Sequence, residues 1–277
     1  MMFSLVSWLV RGIVSGVGHD GVSWSCGWVR DGRARRRWTG VRERDGGTGR
    51  PGQSGRRGGA GSPVREVRRP TVRLPELKAY TDTELETEGD YDGLEFADAD
   101  LAGQPGRGAR FMDCALRRCA LDETVLSRAR FIDSVLDGVR GVGTDLSQAS
   151  LRDVEVLDAR LGGVQMHAAV LERVVVRGGK IDFLNLRKAK LKDVAFEGCV
   201  LVEADFAGAE LERVSFDDCT LSRVDFSAVR MRDVDLRGVA RLDIARGIDR
   251  LAGAVISSAQ LMDLAPAFAA EIGVRVE

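Results

Sequence analysis

Histidine is nearly missing, with two residues in a chain of 277, and the five cysteines are scattered. Cys26 lies near the start, and Cys114, Cys119, Cys199 and Cys219 lie far along the chain, with no pair at CxxC spacing. This usage speaks against a zinc site. An odd number of dispersed thiols fits a reducing, cytoplasmic compartment better than a disulfide framework. Phosphate-binding glycine loops, HExxH, GxSxG and calcium-loop signatures are also absent, so neither a catalytic set nor a cofactor is expected and the chain does not read as an enzyme. Long apolar runs are missing as well. The stretch from Phe3 to Val17 is interrupted by Arg11, follows no positively charged region and precedes no small-residue cleavage site. It is too short for a membrane span and has the wrong flanks for a signal peptide.

Lysine is absent from the first 70 residues, which hold 14 arginines against 5 acids, a net charge of +9. Residues 71–277 hold 27 basic and 37 acidic residues, a net charge of −10. Between Gly12 and Gly61 the chain is dominated by glycine and arginine, with Arg33, Arg35, Arg36 and Arg37 close together. That stretch has no helical or strand period, so residues 1–70 are expected to form a disordered head. An Arg/Gly-rich tail with tryptophan can bind nucleic acid. The favoured reading is instead a translated leader ahead of a true start at Val64, Val67 or Val72. Residues 71–93 read as a lead-in.

The body repeats every five residues. Cut into fives, residues 204–228 read ADFAG, AELER, VSFDD, CTLSR, VDFSA. In that frame, 27 of the 29 third positions from Phe96 to Leu236 are Leu, Phe, Ile, Val or Met; the exceptions are Gly106 and Gly141. Two residues before each of these centres stands a small residue, with Gln104 a misfit and Leu94 and Leu184 oversized. A period of five is neither helical nor strand-like. In a short extended segment, however, residues i and i−2 point to one side. One small and one large inward residue then make a flat side, and the remaining residues turn a corner. Four sides give a coil of 20 residues, stacked at a strand spacing of about 4.8 Å.

Residues 94–256 thereby resemble the pentapeptide-repeat family, whose pattern is A(D/N)LXX. The family's polar preference before the centre recurs at Asp100, Asp145, Asp205, Asp225 and Asp235. The resemblance implies an all-β fold, a right-handed quadrilateral β-helix with the centres filling its interior. Three irregularities are expected to interrupt it. Residues 102–108 contain Pro105 and lack a centre, which predicts a bulge or loop. Gly141 leaves one side kinked or underpacked. Residues 238–248 place Arg241 and Arg246 at would-be centres, so a short loop should leave the coil before Leu251 and Ile256 resume it.

After Ile256 the period changes. Ser257 or Ser258 can cap a helix in which Leu261, Leu264, Phe268 and Ile272 share a face, with Pro266 inside and Gly273 at its end. This segment, 257–277, would cover the open end of the solenoid, or pair with a second copy to make a homodimer. His167 follows the inward Met166 and should face solvent. Cys199 and Cys219 should stack as buried thiols on adjacent coils. Every twentieth residue on one corner reads Asp113, Asp133, Asp153, Arg173, Asp193, Arg213, Asp233. These aspartates are the candidate interaction column, either a surface for a basic partner or a solvated face relieved by Arg173 and Arg213. Arg187, Lys188, Lys190 and Lys192 form a basic patch that interrupts the acidic surface. The expected function is a non-catalytic scaffold for an unknown protein partner. Two alternatives are a DNA-mimicking binder of DNA gyrase, as for some members of the family, and nucleic-acid binding through the head.

Overall fold

The computed structural model describes residues 64–275, together with the short strands Gly16–Val17 and Ser23–Trp24, which pair antiparallel. The remainder of the head lies outside the described residues, and with it the Phe3–Val17 stretch apart from its last two residues, Cys26 and the arginine-rich nucleic-acid reading. From Lys78 onward the chain winds as a parallel β-solenoid of about nine turns.

Each turn has four sides. The strands Arg130–Asp137, Ser150–Leu157, Val170–Arg177, Lys190–Glu197 and Glu210–Asp217 each cover two sides and pair in parallel with a shift of 20 residues. The third side is a six-stranded sheet running from Arg140–Val142 to Arg241–Arg246. The fourth is a file of single bridges, Val125 to Asp145, Gln165, Asn185, Asp205 and Asp225. Corners are made by left-handed residues two places after a centre. Among the described residues, 21 non-glycine residues have positive φ and 8 of them are aspartate. Aspartate and glycine enter that region at lower cost than other residues, so part of the aspartate spacing serves the turn itself.

The centres fill the interior. Phe111 and Phe131 stack at 4.7 Å, and Phe196 and Phe216 at 4.8 Å, with planes within 5°. Those separations match the spacing of neighbouring strands, so identical side chains on successive turns meet face to face. The small positions are sealed between them. Ala109, Cys114, Val154, Ala169 and Ala204 are fully buried. Thr124 and Thr144 donate their hydroxyls to the Leu101 and Leu121 carbonyls at 2.7 Å, which satisfies the buried oxygens. Cys199 and Cys219 do stack, with the Cys199 N–H donating to Cys219 Sγ at 3.4 Å.

The solenoid begins before Leu94. Asp90–Asp92 pairs with Arg110–Met112, Tyr91 stacks on Phe111 at 5.0 Å, and Tyr80 lies over Phe96 at 4.1 Å. These residues lie in the expected lead-in because their aromatic centres precede the point where the five-residue frame becomes regular. Residues 64–77 form a strap. Val64, Val67, Val72, Leu74 and Leu77 are half-buried and Pro70 is buried, separated from one another by one or two exposed residues. Residues 64–70 therefore depart from the disorder expected of the whole head.

The three irregularities also resolve differently. No loop leaves at 102–108: Gly103 and Gly108 donate N–H groups to the Asp122 and Ser127 carbonyls of the next turn. Leu85, from outside the frame, fills the space above Gly106, where a Cβ would lie 3.1 Å from its Cδ1. The misfit Gln104 holds that segment in place, accepting from the Leu85 N–H at 2.7 Å and donating to the Thr83 carbonyl at 2.9 Å. At Gly141 the sheet continues without a kink, because the backbone closes onto Leu121, whose carbonyl carbon is 2.6 Å from where a Cβ would stand. At 238–248 one inserted residue is absorbed as a bulge. Thr220 pairs with Arg241 and Leu221 with Leu242, while Val224 pairs with Ile244. The insertion moves Leu242 and Ile244 inward and leaves Arg241 and Arg246 exposed.

The C-terminal helix spans Ser258–Glu271 and runs unbroken through Pro266. Ser257 caps it through a capping box with Gln260. Gln260 is itself buried and donates to the Leu236 and Val239 carbonyls at 2.8 and 3.1 Å, closing the last full turn. Among the described residues no helix is long and apolar enough to cross a membrane.

Candidate interaction surface

The corner carrying Asp113, Asp133, Asp153, Asp193 and Asp233 is one continuous edge, because every one of these residues, with Arg173 and Arg213, takes the same left-handed conformation on successive turns. It does not project into solvent as a uniform acidic face. Asp193 is 1% exposed and the other four are half-buried. Arg173 grips Asp153 through two hydrogen bonds, Nε to Oδ1 at 2.6 Å and Nη2 to Oδ2 at 2.7 Å. Arg213 grips Asp193 in the same way at 2.7 and 2.8 Å and also pairs with Glu212. Bidentate pairing of this kind fixes both partners and neutralises the edge locally.

The strap adds to this neutralisation. The Arg68 N–H donates to Asp193 Oδ1 at 3.2 Å, and the Arg69 guanidinium pairs with Glu197. Burial pushes the Asp193 carboxyl up, but the Arg213 guanidinium and the Arg68 N–H outweigh it, and the group rests below the ordinary aspartate range. Glu197 is lowered in the same way, with burial opposed by Arg177 and Arg69. Asp113 goes in the other direction: burial, then Asp133 and Asp92, raise it. Negative charge is thus concentrated at Asp113 and Asp133 on the corner, with Asp92 on the strand beside them.

The spacing rule anticipated the column and its arginine relief. It missed the strap, Glu197 and Asp92. Apolar residues recurring every two or three positions from Val64 to Leu77 were the available signal, and they begin where the composition is still arginine-rich. On the side crossed by the strap, the outward residues Ala115, Val175 and Ala195 are buried. The basic patch is exposed at Arg187, Lys188, Lys190 and Lys192, with Arg187 held to Asp205 at 2.9 Å and Lys192 to Glu172 at 3.7 Å. His167 faces solvent as expected. Burial raises the Cys114 and Cys119 thiols, which keeps them protonated and inert.

Of the four apolar helix residues, Leu264 is buried and Phe268 half-buried, whereas Leu261 and Ile272 are exposed at 50% and 78%. The helix therefore uses part of its apolar surface to cover the solenoid end and leaves Leu261, Met262 and Ile272 on the outside.

Residues 109–186 and 180–243 match the family model described as Pentapeptide repeat region. No curated protein matches the chain. Among solved structures, two trypsin-treated variants of QnrB1, described as a plasmid-mediated fluoroquinolone resistance protein, are 18% and 19% identical. The matches cover 73% and 74% of this chain and 99% and 98% of theirs, with TM-scores of 0.33 and 0.36. HetL, a pentapeptide repeat protein involved in heterocyst differentiation regulation in the cyanobacterium Nostoc sp. Strain PCC 7120, is 16% identical. That match covers 62% of this chain and 90% of HetL, with a TM-score of 0.26.

Proposed function

The chain belongs to the pentapeptide-repeat family, and from that premise we propose that it is a non-catalytic scaffold that binds a protein partner through its outer faces. The observation that carries this reading is the ladder of cross-turn ion pairs over a filled interior. Arg110–Asp90, Arg118–Asp98, Arg173–Asp153 and Arg213–Asp193 each join residues 20 apart. Side chains fixed in this way form a preorganised charge array, which lowers the ordering cost of binding. The test is affinity capture with the full chain beside an Asp113→Lys/Asp133→Lys variant. A partner held by the first and lost by the second supports the reading. Partners held equally by both would remove this corner from it.

A second reading, a DNA-mimicking binder of DNA gyrase, is favoured by one feature, the successive corner residues Asp113 and Asp133 with Asp92 on the strand beside them and no arginine interleaved at the corner. A purified 64–277 chain should then inhibit gyrase supercoiling, and the same double variant should not. Absence of inhibition by the unaltered chain at tens of micromolar would sink this reading while leaving the scaffold reading standing.

A further inference from the structure

The strap runs along the axis of the coil and not around it. Lys78 pairs with Leu94, while the Arg68 N–H and the Arg69 guanidinium reach Asp193 and Glu197, five turns further on. The side beneath the strap differs from its neighbours. Its outward positions stand in register as Ala115, Val135, Glu155, Val175, Ala195 and Ser215, small or apolar except for Glu155. At the same place before each centre, the preceding side presents Arg110, Arg130, Lys190 and Arg230, and the following side Arg140, Arg160 and Lys180. Ala115, Val175 and Ala195 are buried although they point away from the interior. Uncovered, they would form an apolar strip on a charged surface, which marks a place of contact with another chain.

The strap covers this face loosely. Among the described residues no backbone–backbone hydrogen bond ties residues 64–77 to the coil. Its polar ties are the Arg68 N–H to Asp193 Oδ1 at 3.2 Å and the Arg69–Glu197 pair. Its apolar side chains, Pro70 apart, are only half-buried. A segment with few buried contacts and no ladder opens at low cost. Its first residues fit worst. A hollow of about 370 Å³ remains between Val64–Val67 and the coil. The coil lines it with Asp217, Asp233 and Asp235, and the strap adds a further carboxylate, Glu66. Asp235 is answered by Arg237, whereas Asp217 and Asp233 have no basic partner among the described residues. Arg65 and Arg69 also border the hollow, but Arg69 is engaged by Glu197 and Arg65 pairs with neither acid. Glu66 therefore brings a like charge to acids that lack a cation, which is unfavourable.

We propose that this face is a docking groove for an extended segment of a partner protein, and that residues 64–70 are its resident competitor, lifting away while Lys78 and Ala79 stay paired. The partner segment carries apolar side chains two or three residues apart, one arginine for Glu197, and a second basic residue at the place of Glu66 for Asp217 and Asp233. The strap meets the first two requirements and fails the third, so a segment with that second base displaces it. The inference deepens the scaffold reading: it rests on that reading for the existence of a partner, and it names the face and the chemistry of the segment. Peptide binding on this face and capture through Asp113 and Asp133 succeed or fail independently.

The test is fluorescence anisotropy of two labelled synthetic peptides of residues 64–77, one native and one carrying Glu66→Arg, titrated with the full chain and with its Arg69→Glu and Arg69→Glu/Val175→Arg variants. In the unaltered chain the tethered strap competes at an effective concentration of about millimolar. The Arg69→Glu chain, whose strap has lost its ion pair, should bind both peptides about tenfold more tightly. The Glu66→Arg peptide should bind about tenfold more tightly than the native one, and Val175→Arg should abolish binding of either. Val175 points outward, so circular dichroism at 25 °C should show the coil intact. A Glu197→Arg chain provides an independent check by gain of binding: it should prefer a peptide carrying Arg69→Glu to the native peptide. No saturable binding to the Arg69→Glu chain at about 1 mM peptide would overturn the proposal. So would binding that survives Val175→Arg, equal affinity for the native and Glu66→Arg peptides, or a Glu197→Arg chain that does not discriminate. A dimer of the Arg69→Glu chain that excludes both peptides would assign the face to a second copy and overturn it as well.

Discussion

Asp193 shows what one side chain contributes here. It is almost fully buried, accepts two bonds from Arg213 and one from the Arg68 N–H, and joins the corner to the strap. Removing it strands the Arg213 guanidinium, whose side chain is only 10% exposed. Asp193→Ala should cost about 3 kcal/mol, as measured by urea unfolding; a cost near zero would mean that Glu212 alone satisfies the arginine. The pH dependence has a definite sign. Asp193 and Glu197 both have lowered pKa values in the fold. Their stabilisation is fully present above the unfolded range of about 4 and is lost as pH falls through the lowered folded values. The raised Asp113 acts oppositely, recovering stability as pH falls through its folded value, but it is one group against two. The protection of the Arg68 amide against hydrogen exchange, taken relative to its intrinsic rate at each pH, should therefore fall below about pH 4, ahead of global unfolding. The column itself was legible as spacing, but its cause was not: residue type does not display a positive φ, and much of the aspartate periodicity reflects corners. Gln104 and Gln260 were harder still. Each looks like a polar misfit until the backbone groups it satisfies are located.

At the level of a single side of the coil, the five-residue frame identified the sides and the centres correctly, because the alternation of small and large inward residues follows directly from packing; the terminal helix was legible from the change to 3-and-4 spacing after Ile256. It failed where a neighbouring element supplies what the frame lacks. Gly106 is compensated by Leu85 and Gly141 by close approach of the backbone, and neither can be seen from the local pentapeptide. This gives a prediction opposite to the repeat pattern. Restoring a centre by Gly141→Leu, or even Gly141→Ala, should lower the thermal midpoint, since the new Cβ collides with the Leu121 backbone and not with a movable side chain. A rise in midpoint would show that the side can relax outward. Leu85→Ala should cost about 2–4 kcal/mol in the same assay, the value of a large buried side chain removed without collapse.

For the molecule as a whole, the two ends of the described chain pose the same problem, an apolar surface that needs a cover, and they meet it differently. The strap crosses one side with Val64, Val67 and Pro70 against the coils, so the position of the first residue matters. A chain beginning at Val64 retains the Arg68 and Arg69 contacts, whereas one beginning at Val72 loses both and uncovers part of that side. The shorter chain should melt lower and bind a hydrophobic dye more strongly; equal midpoints would show that the strap only rests on the solenoid. At the other end Gln260, Leu264 and Phe268 close the last turn, while Leu261, Met262 and Ile272 remain outside, at 50%, 74% and 78% exposure. A cap alone has no use for that outer row, because exposed large apolar side chains in a group favour association. The two roles expected of the helix are therefore compatible, since they use different side chains. Sedimentation of the 64–277 chain should show a dimer that Leu261→Asp/Ile272→Asp converts to a monomer with an unchanged unfolding midpoint. Gln260→Ala should do the reverse, lowering the midpoint because the Leu236 and Val239 carbonyls lose their donor. A monomer at all concentrations would leave the helix with its capping role only, and a double variant that unfolds would show that the outer row belongs to the cap after all.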